Sequence, residues 1–349
     1  IIADRWIPAQ RLLGLCHLFA AGFITLAATR TDYNSLYTLV LLSVMFYMPT
    51  IALSNSVAYN ALEKAGLDTV THFPPIRVWG TVGFICAMWV VDLGKMGLSA
   101  TQLYFSATLG LILGLYSFTL PNCPINRSGG GKSIVDLLGL RAFALFKQRK
   151  MAIFFIFSML LGMSLQITNA FADGYIKSFG DTGIHGAKYL GTFGVEHSTI
   201  LISLSQISET LCILLIPFFL KRFGIKRVML IAMFAWVLRF ALLGAGNPGP
   251  GVWMFILSMI VYGVAFDFFN ISGSLFVEKE TSAAIRSSAQ GVFMIMTNGL
   301  GALIGSYLAG WVVNHYGWPL SWYLFAGFSL VVAIVFAVIF KYKHDPNRI

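Results

Sequence analysis

The sequence predicts an all-α polytopic membrane protein, with ten spanning helices arranged as two bundles. Three observations carry that expectation. Of the 349 residues, 57% are hydrophobic and only 11% charged, against roughly 25% charged in a soluble domain. The apolar residues gather in runs close to the ~20 residues that a helix needs to cross a bilayer. The basic residues, which leave a formal net charge of +10, fall in short segments between those runs, as the positive-inside rule requires of cytoplasmic loops.

Taken in order, runs bounded by charge, Gly or Pro predict helices over 12–29, 36–62, 73–92, 101–120, 151–176, 197–220, 228–246, 252–277, 284–314 and 319–340. Loops 1–11, 63–72, 121–150, 221–227, 278–286 and 341–349 hold most of the lysines and arginines. The alternate loops hold Arg30, Lys95, Lys177 and Lys188. The basic set is therefore expected in the cytoplasm, with the C-terminus on that side.

Loop 121–150 carries Pro121, Pro124, the run Gly129-Gly130-Gly131 and six basic residues, among them Arg127, Lys132 and Arg141. That is the composition of a linker. It predicts an N-terminal bundle over 1–120 and a C-terminal six-helix bundle over 151–349. Two short basic turns, ADRWIPAQR at the start and LKRFGIKRV at 220–228, echo each other, as two pseudo-symmetric halves would. By that count the first half holds four helices and lacks two. The opening IIADRWIPAQR places an acid and two arginines ahead of any apolar core, which is not a signal peptide, and it reads as a loop cut from a longer chain.

Several function classes are not expected. Cys16, Cys86, Cys123 and Cys212 show no CxxC spacing, and the six histidines form no HExxH pair, so neither a disulfide framework nor a metal site is predicted. No basic patch is interleaved with aromatics on a soluble domain, so nucleic acid is not an expected partner. A membrane-embedded transferase would want a His–acid pair or an acidic cluster at the membrane edge. His344-Asp345 lies in the tail instead, and no enzyme is predicted.

The polar residues inside the apolar runs are the candidate site. Asp267 is the only charge in 252–277. A carboxylate near mid-membrane costs at least ~2.5 kcal/mol, so it is expected to face a cavity. Tyr262, Phe266 and Asn270 fall three to five residues from one another or from Asp267, which puts them on roughly one side of a helix. Packing within the bundle is the other use of such aromatics. Arg77, Thr81 and Phe84 are spaced by four and three, with Pro74 and Pro75 suited to the first turn of their helix. Arg77 either faces a cavity or snorkels to the interface.

Gln166 and Asn169 lie in the charge-free run 151–172, and Gln206 and Glu209 repeat their spacing, with Glu209 the only acid in 198–220. Amides there either bind a solute or join helices. Glu209 either contacts a solute or partners Arg77. Together the set fits a nucleoside, whose base stacks on aromatic faces and whose hydroxyls bridge amides and carboxylates. Spacing alone fits a sugar as well. Asp267 and Glu209 are the candidate proton carriers. Gly301 and Gly305 form a GxxxG expected to pack within the bundle, and Trp311, Trp318 and Trp322 are expected in an aromatic belt.

Four blocks of the sequence resemble a known family: FPPIRVWGTVGF (73–84), MAIFFIFSMLLG with LQITN (151–169), SQISETL with IPFFL (205–220) and MIVYGVAFDFFNISGSLFVEKE (259–280). They are similar to the bacterial nucleoside permeases, the nucleoside:proton symporter branch of the major facilitator superfamily, and the resemblance runs from Ile1 to about His344. It implies a twelve-helix fold with ten helices present, Ile1 to Trp6 matching the loop between the second and third. It also implies proton-coupled nucleoside uptake across the bacterial inner membrane by alternating access, with Arg77, Thr81 and Phe84 lining the substrate cavity. No cofactor beyond the coupling proton is implied, and the expected state is a monomer in the lipid bilayer. A permease restricted to one nucleoside such as xanthosine, a transporter of another polar solute, and a flux-free sensor are the alternatives. Asp4, Arg5, Lys221, Arg222, Lys226 and Arg227 resemble the superfamily's cytoplasmic loop motif, which latches the halves in one conformation.

Overall fold

The computed structural model describes residues 7–67, 69–97, 99–123, 140–181, 188–281 and 286–342, and among them all regular structure is helical. The chain divides into two compact units, Ile1–Lys132 and Ser133–Ile349.

The first unit holds α1 (Ala9–Ala28), α2 (Tyr33–Lys64), α3 (Thr69–Leu93) and α4 (Thr101–Ser117). Asp32 starts α2 by accepting the Ser35 N–H at 2.9 Å, the usual way an N-cap satisfies an orphan donor. Small residues let α1 approach its neighbours. A methyl on Gly14 would come within 2.9 Å of the Gly114 carbonyl on α4, and Ser43 on α2 donates to the Ala20 carbonyl at 2.9 Å. Gln10 accepts the Cys123 N–H at 3.0 Å and donates to Asn122, fastening the start of α1 to the segment after α4. Helix α3 begins at Thr69, ahead of the predicted 73, because TVTHF continues the helix backward. Pro74 and Pro75 therefore fall in its second turn rather than its first, where each lacks a backbone donor.

The second unit begins with a 3-10 segment, Leu140–Lys147, and α5, Arg149–Ser178. The predicted linker residues 124–139, and Asp4 and Arg5, lie outside the described residues. Next comes a helical run of 48 residues, Ser198–Ala245. At 1.5 Å per residue it would be about 72 Å long, twice the depth of a bilayer core. It breaks at Gly224, whose φ of +75° suits a residue without a Cβ. The break separates α6 (198–223) from α7 (225–245), inside the basic turn LKRFGIKRV. Helix α8 is Val252–Glu280. Helix α9 starts at Arg286, passes through a π segment at Ile295–Gly301 and continues to 316; a second break at Gly317, φ +72°, sets off α10 (318–339).

Among the described residues, each of the ten predicted runs holds a helix. Six helical runs among the described residues are long and apolar enough to cross a membrane, and two of these, Ser198–Ala245 and Ala289–Ile339, are each the length of two crossings.

The core of the second unit is built from rings such as Phe154, Phe240, Phe255, Phe276, Phe293 and Phe336, all fully buried. Lipid is as apolar as these side chains, so their contribution comes from close contact rather than from escaping water. Gly301 and Gly305 serve the same end, with a methyl on either coming within 2.7 Å of α5 backbone at Met159 or Met163. Trp322 departs from the predicted aromatic belt. It is fully buried, 5.3 Å from the Tyr175 ring and 5.9 Å from Phe240, because the break at Gly317 turns its face inward.

Candidate functional site

The site in the second unit is organised by a tight seam between α6 and α8. Gly263 is its centre, where a methyl would lie 2.6 Å from both the carbonyl carbon and the oxygen of Ser208. Ser208 donates to the Ile260 carbonyl, and Ser205 donates to the Met259 sulfur at 3.1 Å. Small residues at such a crossing bring backbones together and hydroxyls bridge them. The seam fixes the height of Glu209 on α6 relative to Tyr262 and Asp267 on α8.

The predicted residues of this unit fall into two groups. Tyr262 is buried and stacks on Phe266 at 5.8 Å between centroids, and its hydroxyl lies near the Asn169 side chain on α5. Phe266 and Asn270 line a pocket of about 20 Å³ with Leu165, Trp236 and Asn298, room for one water molecule. Asp267, 3% exposed, does not line that pocket; Glu209 and Cys212 on α6 lie within its electrostatic reach. Its Oδ2 has no hydrogen-bond partner among the described residues. Glu209 and Gln206 are half-buried on α6, and Gln166 is half-buried and Asn169 exposed on α5. An uncommitted carboxyl oxygen in such a place can take a proton or a substrate hydroxyl without breaking an existing bond.

In the first unit, Thr81 is half-buried and Phe84 is 53% exposed on α3; the Arg77 side chain lies outside the described residues.

Sequence reasoning missed Arg239. It is 1% exposed, on α7, and its Cζ lies 4.7 Å from the Tyr262 ring centroid. The signal was available, since Arg239 is the only charge in 228–246, as Asp267 is in 252–277. A second missed cluster closes the far end of α5. Asp173 accepts from Ser198 at 2.6 Å and from Lys177 at 2.6 Å, joining α5 to the start of α6.

Apolar helices in both units, with a buried carboxyl and aromatic faces and partly exposed amides set among those of the second, fit a solute transporter, and the fold is that of the major facilitator superfamily. The chain superposes on a crystal structure of the nucleoside transporter NupG, an aspartate-to-alanine mutant, with a TM-score of 0.93 at 50% identity, over 98% of this chain and 86% of that one. The family model "Nucleoside H+ symporter" matches residues 1–345, and the chain belongs to that family. Relatives in Escherichia coli K12 are similarly close. The nucleoside permease NupG is 51% identical over 351 residues, 99% of this chain and 83% of the relative. A xanthosine permease is 50% identical over 356 residues, 100% of this chain and 84% of the relative.

Proposed function

We propose that this protein takes up nucleosides across the bacterial inner membrane by alternating access, each coupled to proton entry. The observation that carries the reading is the meeting of three chemistries in one unit: the Tyr262–Phe266 stack, the Asn169 amide near the Tyr262 hydroxyl, and the Asp267 and Glu209 carboxyls within electrostatic reach of each other and of Tyr262. A nucleobase is flat and stacks on such rings; ribose hydroxyls both donate and accept, as amides and carboxyls require. Gln166, Gln206 and Asn270 extend the polar set of this unit, and Arg77, Thr81 and Phe84 of the first unit are proposed to bind substrate on the strength of the family resemblance. The proton is carried by Asp267 or Glu209. The cycle needs no cofactor and no enzymatic step, and the working unit is a monomer of an N-terminal bundle over 1–120, a linker over 121–150 and a C-terminal bundle over 151–349.

The cytoplasmic C-terminus is supported by where charge gathers. Arg149, Lys150 and Lys341 border one cleft, and Lys226, in the first turn of α7, donates to the Ala337 carbonyl at 3.0 Å near the end of α10. These basic segments share one end of the second unit, the end that the positive-inside rule assigns to the cytoplasm.

The test is uptake of labelled uridine and adenosine by cells deficient in nucleoside transport that express the protein, with and without a protonophore. Accumulation abolished by the protonophore supports the reading; uptake indifferent to it points to a uniporter, and no uptake of either nucleoside sinks the substrate assignment. The likeness to the xanthosine permease favours one further comparison, competition by xanthosine against uridine. A restricted permease would respond to xanthosine and ignore uridine.

A further inference from the structure

Among the described residues Arg239 is the only lysine or arginine that is buried, and no carboxylate pairs with it. A charge withdrawn from both water and lipid without a counterion is costly, so its setting has to supply something in return. The setting is specific. Nε donates to Thr168 Oγ1 on α5 at 3.1 Å, and Nη1 donates to the Ser258 carbonyl on α8 at 2.6 Å and to the Met259 sulfur at 3.7 Å. Ser258 Oγ returns a bond to the Arg239 carbonyl at 3.1 Å. The guanidinium itself lies over the Tyr262 ring.

Each of these contacts bears on a residue of the candidate site. Thr168 adjoins Asn169, whose side chain lies near the Tyr262 hydroxyl. In the helical ladder the Ser258 carbonyl is the acceptor for the Tyr262 N–H, four residues on. Trp236, one turn before Arg239 on α7, meets Tyr262 edge-on at 6.0 Å and also lines the small pocket with Phe266 and Asn270. One side chain therefore holds the backbone beneath Tyr262, the helix position beside Asn169 and one face of the Tyr262 ring.

We propose that Arg239 is a positioning residue for substrate recognition: by bridging Thr168 and the Ser258 carbonyl while lying against Tyr262, it fixes Tyr262 and Asn169 in the arrangement that binds the nucleoside. This rests on the nucleoside reading of the site. It assigns Arg239 an effect on substrate affinity, exerted through Tyr262, and little effect on the rate of the conformational cycle. Lysine keeps the charge but not the fork that reaches two acceptors in two directions.

The experiment combines uridine binding to purified protein with initial rates of uridine uptake for Arg239→Lys, Tyr262→Leu and the double variant. Arg239→Lys is expected to raise the binding and half-saturation constants about tenfold while the maximal rate per folded protein stays within about twofold. In the Tyr262→Leu background the same change is expected to add less than about twofold, because residues that act as a unit are not additive. Equal effects in both backgrounds, or a lower maximal rate at unchanged affinity, would overturn the proposal and leave Arg239 a rivet of the bundle. If Arg239→Lys does not fold, Thr168→Val removes one bond and keeps the cation; affinity that falls only when Tyr262 is present supports the proposal, and unaltered affinity refutes it. Unmodified protein that neither binds nor moves uridine would fail the substrate reading itself, and this inference with it; transport by unmodified protein together with additive effects fails this inference alone.

Discussion

Gly263 on α8 lies against the backbone of Ser208 on α6 so closely that a methyl in its place would sit 2.6 Å from the Ser208 carbonyl. No rotamer relieves that contact, because both partners are main chain. Gly263→Ala is therefore expected to force the helices apart, destabilising the protein by about 1–3 kcal/mol, the usual range for overpacking. Gly327→Ala on α10, where nothing lies within 4 Å, is the control, and it should be neutral or stabilising by up to about 1 kcal/mol through helix propensity. Thermal unfolding in detergent reads both, and equal shifts would disprove the seam.

Asp267→Asn is nearly isosteric and leaves the buried position filled, so folded protein should be recovered in normal amounts. The amide cannot exchange a proton as the carboxyl does. Accumulation against a gradient is expected to disappear, while exchange of labelled for unlabelled uridine across the membrane continues at a reduced rate. If accumulation persists in Asp267→Asn and is lost in Glu209→Gln, the proton belongs to Glu209.

Trp322 is fully buried, and its indole Nε1 has no acceptor among the described residues. Trp322→Phe removes that stranded donor along with part of the ring, and the two effects oppose each other. The expected change is below about 1.5 kcal/mol, whereas Trp322→Ala should cost about 3–5 kcal/mol. A large loss in Trp322→Phe would mean that the N–H has an acceptor after all.

Asp173 takes bonds from Ser198 and Lys177, both at 2.6 Å. The Lys177 pair is partly exposed and follows the helix-surface rule, so it contributes a few tenths of a kcal/mol at most. The Ser198 bond crosses between helices. Ser198→Ala is expected to cost about 1 kcal/mol and Lys177→Met much less, an ordering that parallel melts would check.

Much of the fold was legible because membrane helices announce themselves by length and composition, and each of the ten predicted runs holds a helix. Gly224 and Gly317 could be placed within a few residues, since a basic turn and a Gly-Trp-Pro sequence mark them. Trp322 could not be read correctly, because an aromatic near a helix end looks alike whether it faces a headgroup or the bundle; only the turn at Gly317 decides. Asp267 was singled out by being a lone charge in an apolar run. Arg239 satisfies the same test, as the only charge in 228–246. That Phe266 and Asn270 line the small pocket while Asp267 does not depends on helix rotation, which residue spacing resolves only to about one side.

The measurement that bears most directly on the central claim is nucleoside-driven proton movement by the purified protein in liposomes carrying a pH-sensitive dye inside. With no imposed gradient, adding uridine outside should acidify the interior, and Asp267→Asn should abolish the signal while leaving uridine binding measurable. Uridine that enters without acidifying the interior would contradict proton coupling through this site.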